Sequence, residues 1–322
     1  MPSTLLVGEI IHTHDLSSYV YGQPNNVKHQ WCGGRAVFSC GGAAPIRQHM
    51  QYVNIGVTSN AIDFADVATG QNVAGSVSNG WRGIICGGQS PTADENQDFM
   101  QYFTVGILAN SVDFNGDLNA GRAYLDGGCS NGARGAVGGG SGPSHPYTDA
   151  IDYFGFIVGE DAKDFGNLTE GRLGASGTTD GNGGTWSGGW DPGASDVIDY
   201  ITIGTPAEAV DIGNLTQARH VGAQASNGSR AVTICGATYD TIDYYVIGHI
   251  GNAVDFGEAT VASNYLSATS DGERAVRAGG DYPPAGGAQD RIDYFNIGQT
   301  SNAIDFGNLD VGRSSLSALS GN

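Results

Sequence analysis

Basic residues are scarce in this chain. Lys and Arg together number 14 against 33 Asp and Glu, for a formal charge of −19 and a pI near 4.4. A surface of that sign repels phosphate backbones and anionic lipid, so neither nucleic acid nor membrane attachment is expected. No apolar run approaches the ~20 residues of a membrane helix. The first residues lack the basic segment of a secretory signal, and Glu9 interrupts their short apolar stretch. The five cysteines form no CxxC pair, and neither GxSxG nor HExxH occurs. Cys40, Cys86 and Cys235 read as one place in three repeat units, so they are expected as small buried apolar groups of a chain made in a reducing cytoplasm. Proline is sparse, at 10 residues, and helix formers are too few for a helical solenoid. Glycine is the residue in excess: 53 of 322, more than twice ordinary usage and without a collagen period. It belongs to turns and close backbone contacts.

The chain is built of copies. Ile198–Gly236 reads IDYITIG, TPAEAVDIGNLTQAR, then HVGAQASNGSRAVTICG. The pattern returns at Ile151–Gly189, Ile242–Gly280 and Ile292–Asn322, and more loosely from Met50 and Met100, where MQY replaces IDY. Tyr52, Tyr102, Tyr153, Tyr200, Tyr244 and Tyr294 are 50, 51, 47, 44 and 50 residues apart by subtraction. That period is too long for one coil of a β-helix and suits a four-stranded propeller blade. Each unit holds a small-residue run, an Asn-Gly or Asp-Gly pair, and then three β-type runs. Asn79-Gly80, Asn131-Gly132, Asn227-Gly228 and Asp271-Gly272 are hairpin signals, because a type I′ turn needs φ > 0 at both central residues.

This pattern resembles the kelch repeat of β-propellers over roughly residues 33 to 322. The resemblance rests on an apolar run closed by a glycine pair (Gly41-Gly42, Gly87-Gly88, Gly139-Gly140, Gly188-Gly189, Gly279-Gly280) and on two spaced aromatics such as Tyr244 and Phe256. Phe64, Phe114, Phe165, Phe256 and Phe306 stand where kelch repeats carry tryptophan, with Ile212 in the fourth unit, whose pair is broken to Gly236-Ala237. Runs such as IDYFNIGQTSNAIDFGNLDVGR are also similar to repeats in virion proteins of bacterial viruses, in particular tail-fibre-like or appendage proteins of marine phages. The resemblance implies an all-β, six-bladed propeller with four-stranded antiparallel blades and a place in a phage particle.

The repeat resumes mid-unit at Gly33 and stops mid-unit at Asn322. The stretch Ser314–Leu319 therefore offers an innermost strand to Arg35–Cys40, closing the ring and removing open edges. Val27–Trp31 competes for that slot, but its large polar residues suit a crowded axis less well. Residues 1–32 stand outside the repeat as an arm or docking segment. It carries His12, His14, Tyr19 and Tyr21, and its two histidines have no third ligand at fixed spacing.

Charges repeated in every unit are expected to be architectural, since a catalytic site needs one constellation. Asp63, Asp113, Asp164, Asp211, Asp255 and Asp305 precede the fourth-run apolar position. Arg82, Arg134, Arg230 and Arg274, with Arg35 in phase, follow the hairpin turn. Arg122, Arg172, Arg219 and Arg313 stand at the lead-in to the innermost run. Arg–Asp pairs bridging strands or blades are expected from them. The sequons at Asn167 and Asn214 repeat in the links between units and read as turn chemistry.

Function is expected where the units differ. The link after the glycine pair varies most, and it should share a face with the links between blades. His145, Tyr147, Trp190, Asp191, Tyr239 and Tyr282 are its candidate binding residues, suited to a sugar or an apolar patch. On the innermost runs Asp126 is the lone plausible acid. The reading is a non-enzymatic virion protein present in several copies. It would need no metal or other cofactor, and it would bind other virion proteins or a host-surface glycan or protein. A carbohydrate-active propeller enzyme and a cellular kelch-type adaptor stay open as alternatives.

Overall fold

Runs such as Ile242–Ile247 place alternate side chains on opposite faces of a strand, and glycine- or asparagine-rich pieces turn the chain back every few residues. The computed structural model describes residues 31–42, 48–90, 95–142, 145–282 and 286–322. It shows 24 strands, β1 to β24 in chain order, in six four-stranded antiparallel sheets. In blade V the order from the axis outward is β16 (Ala223–Ser226), β17 (Arg230–Ile234), β18 (Thr241–Val246) and β19 (Val254–Glu258). The innermost strands stand side by side as the wall of a channel. β16 touches both β12 (Ser176–Thr179) and β20 (Ser267–Ser270), and β24 (Ser317–Gly321) touches β20 and β4 (Gly75–Ser78). β8 (Cys129–Ser130), between β4 and β12, completes the circle. The protein is a six-bladed β-propeller.

Both chain ends build blade I. β1 (Arg35–Ser39) pairs antiparallel with β24, from Arg35 opposite Gly321 to Ser39 opposite Ser317. The slot contested by Val27–Trp31 is thus filled from the far end of the chain, and residues 27–30 lie outside the described residues. The closing strand begins later than Ser314 because Ser315 sits in the left-handed region, φ 59°, and breaks extension. The arm residues His12, His14, Tyr19 and Tyr21 also lie outside the described residues. Among the described residues no helix is long and apolar enough to cross a membrane.

The apolar core lies between blades. Val37, Met50 and Phe64 of blade I cluster with Ala74, Ile85 and Phe103 of blade II. Phenylalanine at the second aromatic position makes the bridging contact: Phe64–Phe103 centroids are 5.4 Å apart and Phe256–Phe295 5.1 Å. Truncating such a ring costs about 3–5 kcal/mol, so these phenylalanines hold neighbouring blades together.

Two expectations require correction. The first concerns charge pairing. The fourth-strand aspartates Asp63, Asp113, Asp164, Asp211, Asp255 and Asp305 are exposed and form no ion pair with the repeat arginines among the described residues. Four of them instead hold a local bulge, accepting from the backbone N–H two residues on: Asn115 to Asp113 at 2.8 Å, Gly166 to Asp164 at 3.1 Å, Gly213 to Asp211 at 2.8 Å and Gly257 to Asp255 at 3.2 Å. The post-hairpin arginines lie over tyrosine rings of their own blades, Arg82 over Tyr102, Arg134 over Tyr153, Arg230 over Tyr244 and Arg274 over Tyr294, at 4.3–4.8 Å from the centroid. Each also donates to a carbonyl of the next blade: Phe156, Gly204, Ile297 and Ile55 respectively.

The buried ion pairs join the lead-in arginines to the aspartate of the IDY motif. Arg122–Asp152 and Arg172–Asp199 stand at 2.8 Å, and Arg219 meets Asp243 likewise. Link residues complete these pairs, with Thr169 and Thr216 donating both N–H and hydroxyl to Asp199 and Asp243. In blade VI Ser263 takes the arginine's place, and Arg277 of β21 (Arg274–Ala278) supplies the charge to Asp293. Where MQY replaces IDY, Gln101 pairs with Gln71 at 2.7 Å and Gln51 with Arg313 at 3.0 Å.

The second correction concerns register. Five residues beyond the post-hairpin position stand Cys40, Gly87, Gly139, Gly188, Cys235 and Gly279. Cys40 and Cys235 are therefore equivalent, and both replace a glycine at positive φ (61° and 56°). Cys86 stands one residue earlier, as the last residue of β5 (Arg82–Cys86). The glycine pair of blade I is in register Cys40-Gly41, and that of blade V Cys235-Gly236. All five cysteines are buried and none forms a disulfide among the described residues.

Candidate functional site

Antiparallel order puts the Asn-Gly hairpins and the third-to-fourth strand loops on one face. The variable links and the connections between blades lie on the other. The axial channel encloses about 80 Å³ of open space.

At the hairpin face the channel carries a hydroxyl collar: Ser78, Ser130, Thr179, Ser226, Ser270 and Ser320, one from each blade. All but Ser320, which lies within β24, precede a tight turn, and a turn wants a short side chain that can accept from the N–H two positions on. Gly80 donates to Ser78 and Gly228 to Ser226, each at 2.9 Å. Three of the hydroxyls also donate to the preceding blade's collar carbonyl: Thr179 to Ser130 at 3.0 Å, Ser270 to Ser226 at 2.5 Å and Ser320 to Ser270 at 2.6 Å. Trp31 and Cys32 line the same channel, and the Trp31 ring lies against Gly181 in the blade IV turn.

At the link face a second ring is made of backbone. Val73, Tyr124, Gly174, Val221, Tyr265 and Ser315, one per blade, all have positive φ, between 49° and 64°. Their amides point around the axis. Ser315 donates to Tyr265 O, Tyr265 to Val221 O, Val221 to Gly174 O, Gly174 to Tyr124 O and Val73 to Ser315 O, at 2.8–3.3 Å. In blade III the bond to Val73 O comes instead from Leu125, one residue late, at 3.2 Å.

That shift marks a break in the sixfold pattern. From ring residue to collar residue is five positions in blades I, II, IV, V and VI, but Tyr124 to Ser130 is six. The extra residue bulges the innermost strand, which is why β8 keeps only two residues against four in β12 or β16. The bulge is Leu125-Asp126-Gly127-Gly128. Gly127 takes φ 104° and lies so close to Gly177 that a Cβ on either would meet the other's backbone at 3.0–3.1 Å. The bulge carries Asp126. Its residue surface is half-buried because it borders the channel, yet its Oδ2 is sealed from solvent and has no hydrogen-bond partner. Burial alone pushes its carboxyl up to about 7. Burial raises the Tyr265 hydroxyl pKa, with Tyr124, Asp126 and Asp281 adding in the same direction.

On the link face, Trp190 is half-buried in blade IV and stacks on His220 of the blade V lead-in, centroids 4.8 Å apart and planes tilted by 59°. Burial lowers the His220 pKa, favouring its neutral form. Asp191 and His145 are exposed, Tyr147 is half-buried, and Tyr239 and Tyr282 are 37% and 39% exposed. These residues occupy consecutive blades III to VI on one face. The Trp190–His220 pair is the one ring contact among them in the described residues. His220 was missed because it lies in a lead-in that otherwise looks architectural. Link residues 43–47, 91–94, 143–144 and 283–285 lie outside the described residues.

No family model matches the chain, and no curated protein shows significant similarity to it. Function rests on the geometry and on the repeat resemblance.

Proposed function

We propose that this propeller is a non-enzymatic structural and binding component of a bacterial virus particle, a tail-fibre, receptor-binding or decoration protein of kelch-like repeat type. The observation that carries it is the division of the two faces. Hairpins, collar and arginine clamps repeat from blade to blade, whereas the links change in sequence on a scaffold closed at both ends. Variation confined to one face of a rigid body is what a recognition surface requires. Trp190, Tyr239 and Tyr282 supply amphipathic contact area, and Asp191 and His145 polar rims, for a host-surface glycan or protein. Many copies on one particle would multiply weak contacts. The phage assignment draws on the likeness of the IDYF…AIDFGNL runs to virion repeats.

A single carboxylate, Asp126, stands among the described Asp and Glu residues lining the channel. Glycoside hydrolysis ordinarily uses two, about 5–9.5 Å apart, and this favours binding over cleavage. Immunogold labelling of purified particles tests the assignment: gold at a fixed place on the particle is expected. Label confined to host cytoplasm refutes it. Trp190→Ala with Tyr239→Ala and Tyr282→Ala should abolish adsorption while leaving Tm within about 2 °C. Turnover of a host polysaccharide, lost in Asp126→Asn, would establish the enzyme reading instead.

A further inference from the structure

We propose that the hairpin face carries a docking site for a segment of the same chain, the apolar run LLVGEII of residues 5–11. The loop between the third and fourth strands opens with one turn in five blades: Val57, Ile107, Thr205, His249 and Gln299 each donate their N–H to the carbonyl three residues back, at 3.0–3.4 Å. The side chain there is apolar in blades I and II and polar in blades IV to VI. Blade II adds Leu108 and, from its Asn-Gly hairpin, Trp81. Blade III carries Ile157 where the other loops have glycine. Val57, Trp81, Ile107, Leu108 and Ile157 are between 48% and 68% exposed. Hydrogen bonds hold their loops side by side. Trp81 O accepts from Val105 N–H at 2.9 Å, two residues before Ile107. Arg82, next to Trp81, donates to Phe156 O, next to Ile157. Arg35 of blade I donates to Val105 O at 2.9 Å. Large apolar groups exposed on neighbouring loops mark an interaction surface.

The occupant follows from where the chain enters the fold. Gly33 abuts Gly321 of blade I, while the Trp31 ring lies against Gly181 of blade IV, so the chain crosses the channel mouth on this face. Residues 1–30, which lie outside the described residues, are thus tethered at the centre of the hairpin face. Their run at 5–11 holds Leu5, Leu6, Val7, Ile10 and Ile11 with one charge, Glu9. Such a run, without proline, invites aggregation when left uncovered, and the apolar side chains beside its tether can cover it. By subtraction Ile11 stands 20 residues ahead of Trp31. Extended, that tether reaches about 66 Å, against about 20 Å for the width of a four-stranded blade. A short flexible tether gives an effective concentration of about 1 mM, well above that of a second copy in dilute solution, so the segment comes from its own chain. The site does not depend on the particle role.

The test uses the full chain. A photo-reactive benzoylphenylalanine in place of Ile107 should, on illumination, cross-link to a peptide from residues 5–11 in a band of monomer mass. Amide hydrogen exchange in residues 5–11 should be about tenfold slower or more in the unmodified chain than in the double variant Ile107→Ser with Leu108→Ser. Both replaced side chains are exposed, so exchange in the ring itself should be the same in the two proteins. Ile250→Ser should leave the protection intact: Ile250 is 90% exposed and stands in blade V where blade II has Leu108. The inference is overturned if residues 5–11 exchange equally in the unmodified chain and the double variant, or if Ile250→Ser releases them as well. It is overturned too by cross-links only to other parts of the chain, by none, or by a product of twice the monomer mass, which would put a second copy on this face.

Discussion

The buried pair Arg172–Asp199 offers a sharp test, because the fold contains its own neutral alternative. Arg172 is wholly buried, 2.8 Å from Asp199, and Thr169 donates two further hydrogen bonds to that carboxylate. Every IDY aspartate in this position meets a guanidinium: Arg122, Arg172, Arg219, or Arg277 from the adjacent strand. Blade II fills the same place with Gln71 and Gln101, and Thr69 N–H donates to Gln101 as Thr169 does to Asp199. Arg172→Gln alone should strand a buried carboxylate without counter-charge, at about 3–5 kcal/mol. At ~2.1 cal/mol/K per residue over 322 residues, each kcal/mol moves Tm by about 1.5 °C, so the loss is about 4–7 °C. Adding Asp199→Gln should recover all but about 1 kcal/mol, a coupling of about 2 kcal/mol or more. Calorimetry at one fixed scan rate suffices, because a ring of this size need not unfold in two states. A double variant that falls below Arg172→Gln, or a single variant that loses less than about 1 kcal/mol, refutes the claim that these pairs are charge-balanced units.

Three further outcomes follow from the axis and the closure. Asp126 has a folded-state pKa of about 7 against an ordinary value of 3.8, so the native state binds the extra proton between those values. Stability should therefore fall as pH rises from about 4 to 7, by up to about 4 kcal/mol, and be flat below that window; Asp126→Asn should remove the slope in urea titrations. Ser315→Gly should relieve its left-handed backbone and gain about 0.5–1 kcal/mol, whereas Gly174→Ala should lose at least 1, as its Cβ would stand 2.8 Å from Val221 Cγ1; chemical denaturation distinguishes the two signs. Deleting residues 317–322 should bare the inner edge of β1 and give oligomers by size exclusion; a monomer with unchanged Tm would contradict ring closure through β24.

Much of this architecture is legible in the residues themselves. The tyrosine period sets the blade, the Asn-Gly pairs set its first hairpin, and complementary half-units at the two ends foretell the shared blade. Partners across space are less so. Asp63 and Asp199 look alike in a repeat, and only the sheet shows that one faces solvent beside a bulge while the other faces a lead-in arginine. A trace did exist: Asp→Gln at Gln101 goes with Arg→Gln at Gln71. Cys86 misled because a strand end drifts by one residue without changing its apolar character. The blade III insertion hides for a related reason. Leu-Asp-Gly-Gly-Cys-Ser resembles any small-residue run until the distance from Tyr124 to Ser130 is measured against the other blades. His220 became visible only when Trp190 was found lying on it.

The shared blade also bears on how the molecule is made. β1 emerges early during synthesis, but its inner partner is 282 residues behind it by subtraction of Ser39 from Gly321. At ~5–20 residues per second the ribosome needs about 14–56 s to deliver that partner. For that interval five blades can stack while the first keeps a row of backbone groups exposed. Neighbouring nascent chains on one message could supply each other's missing strand, linking two rings through exchanged tails. Dilute, slow expression should therefore favour single rings, and crowded polysomes interlocked ones.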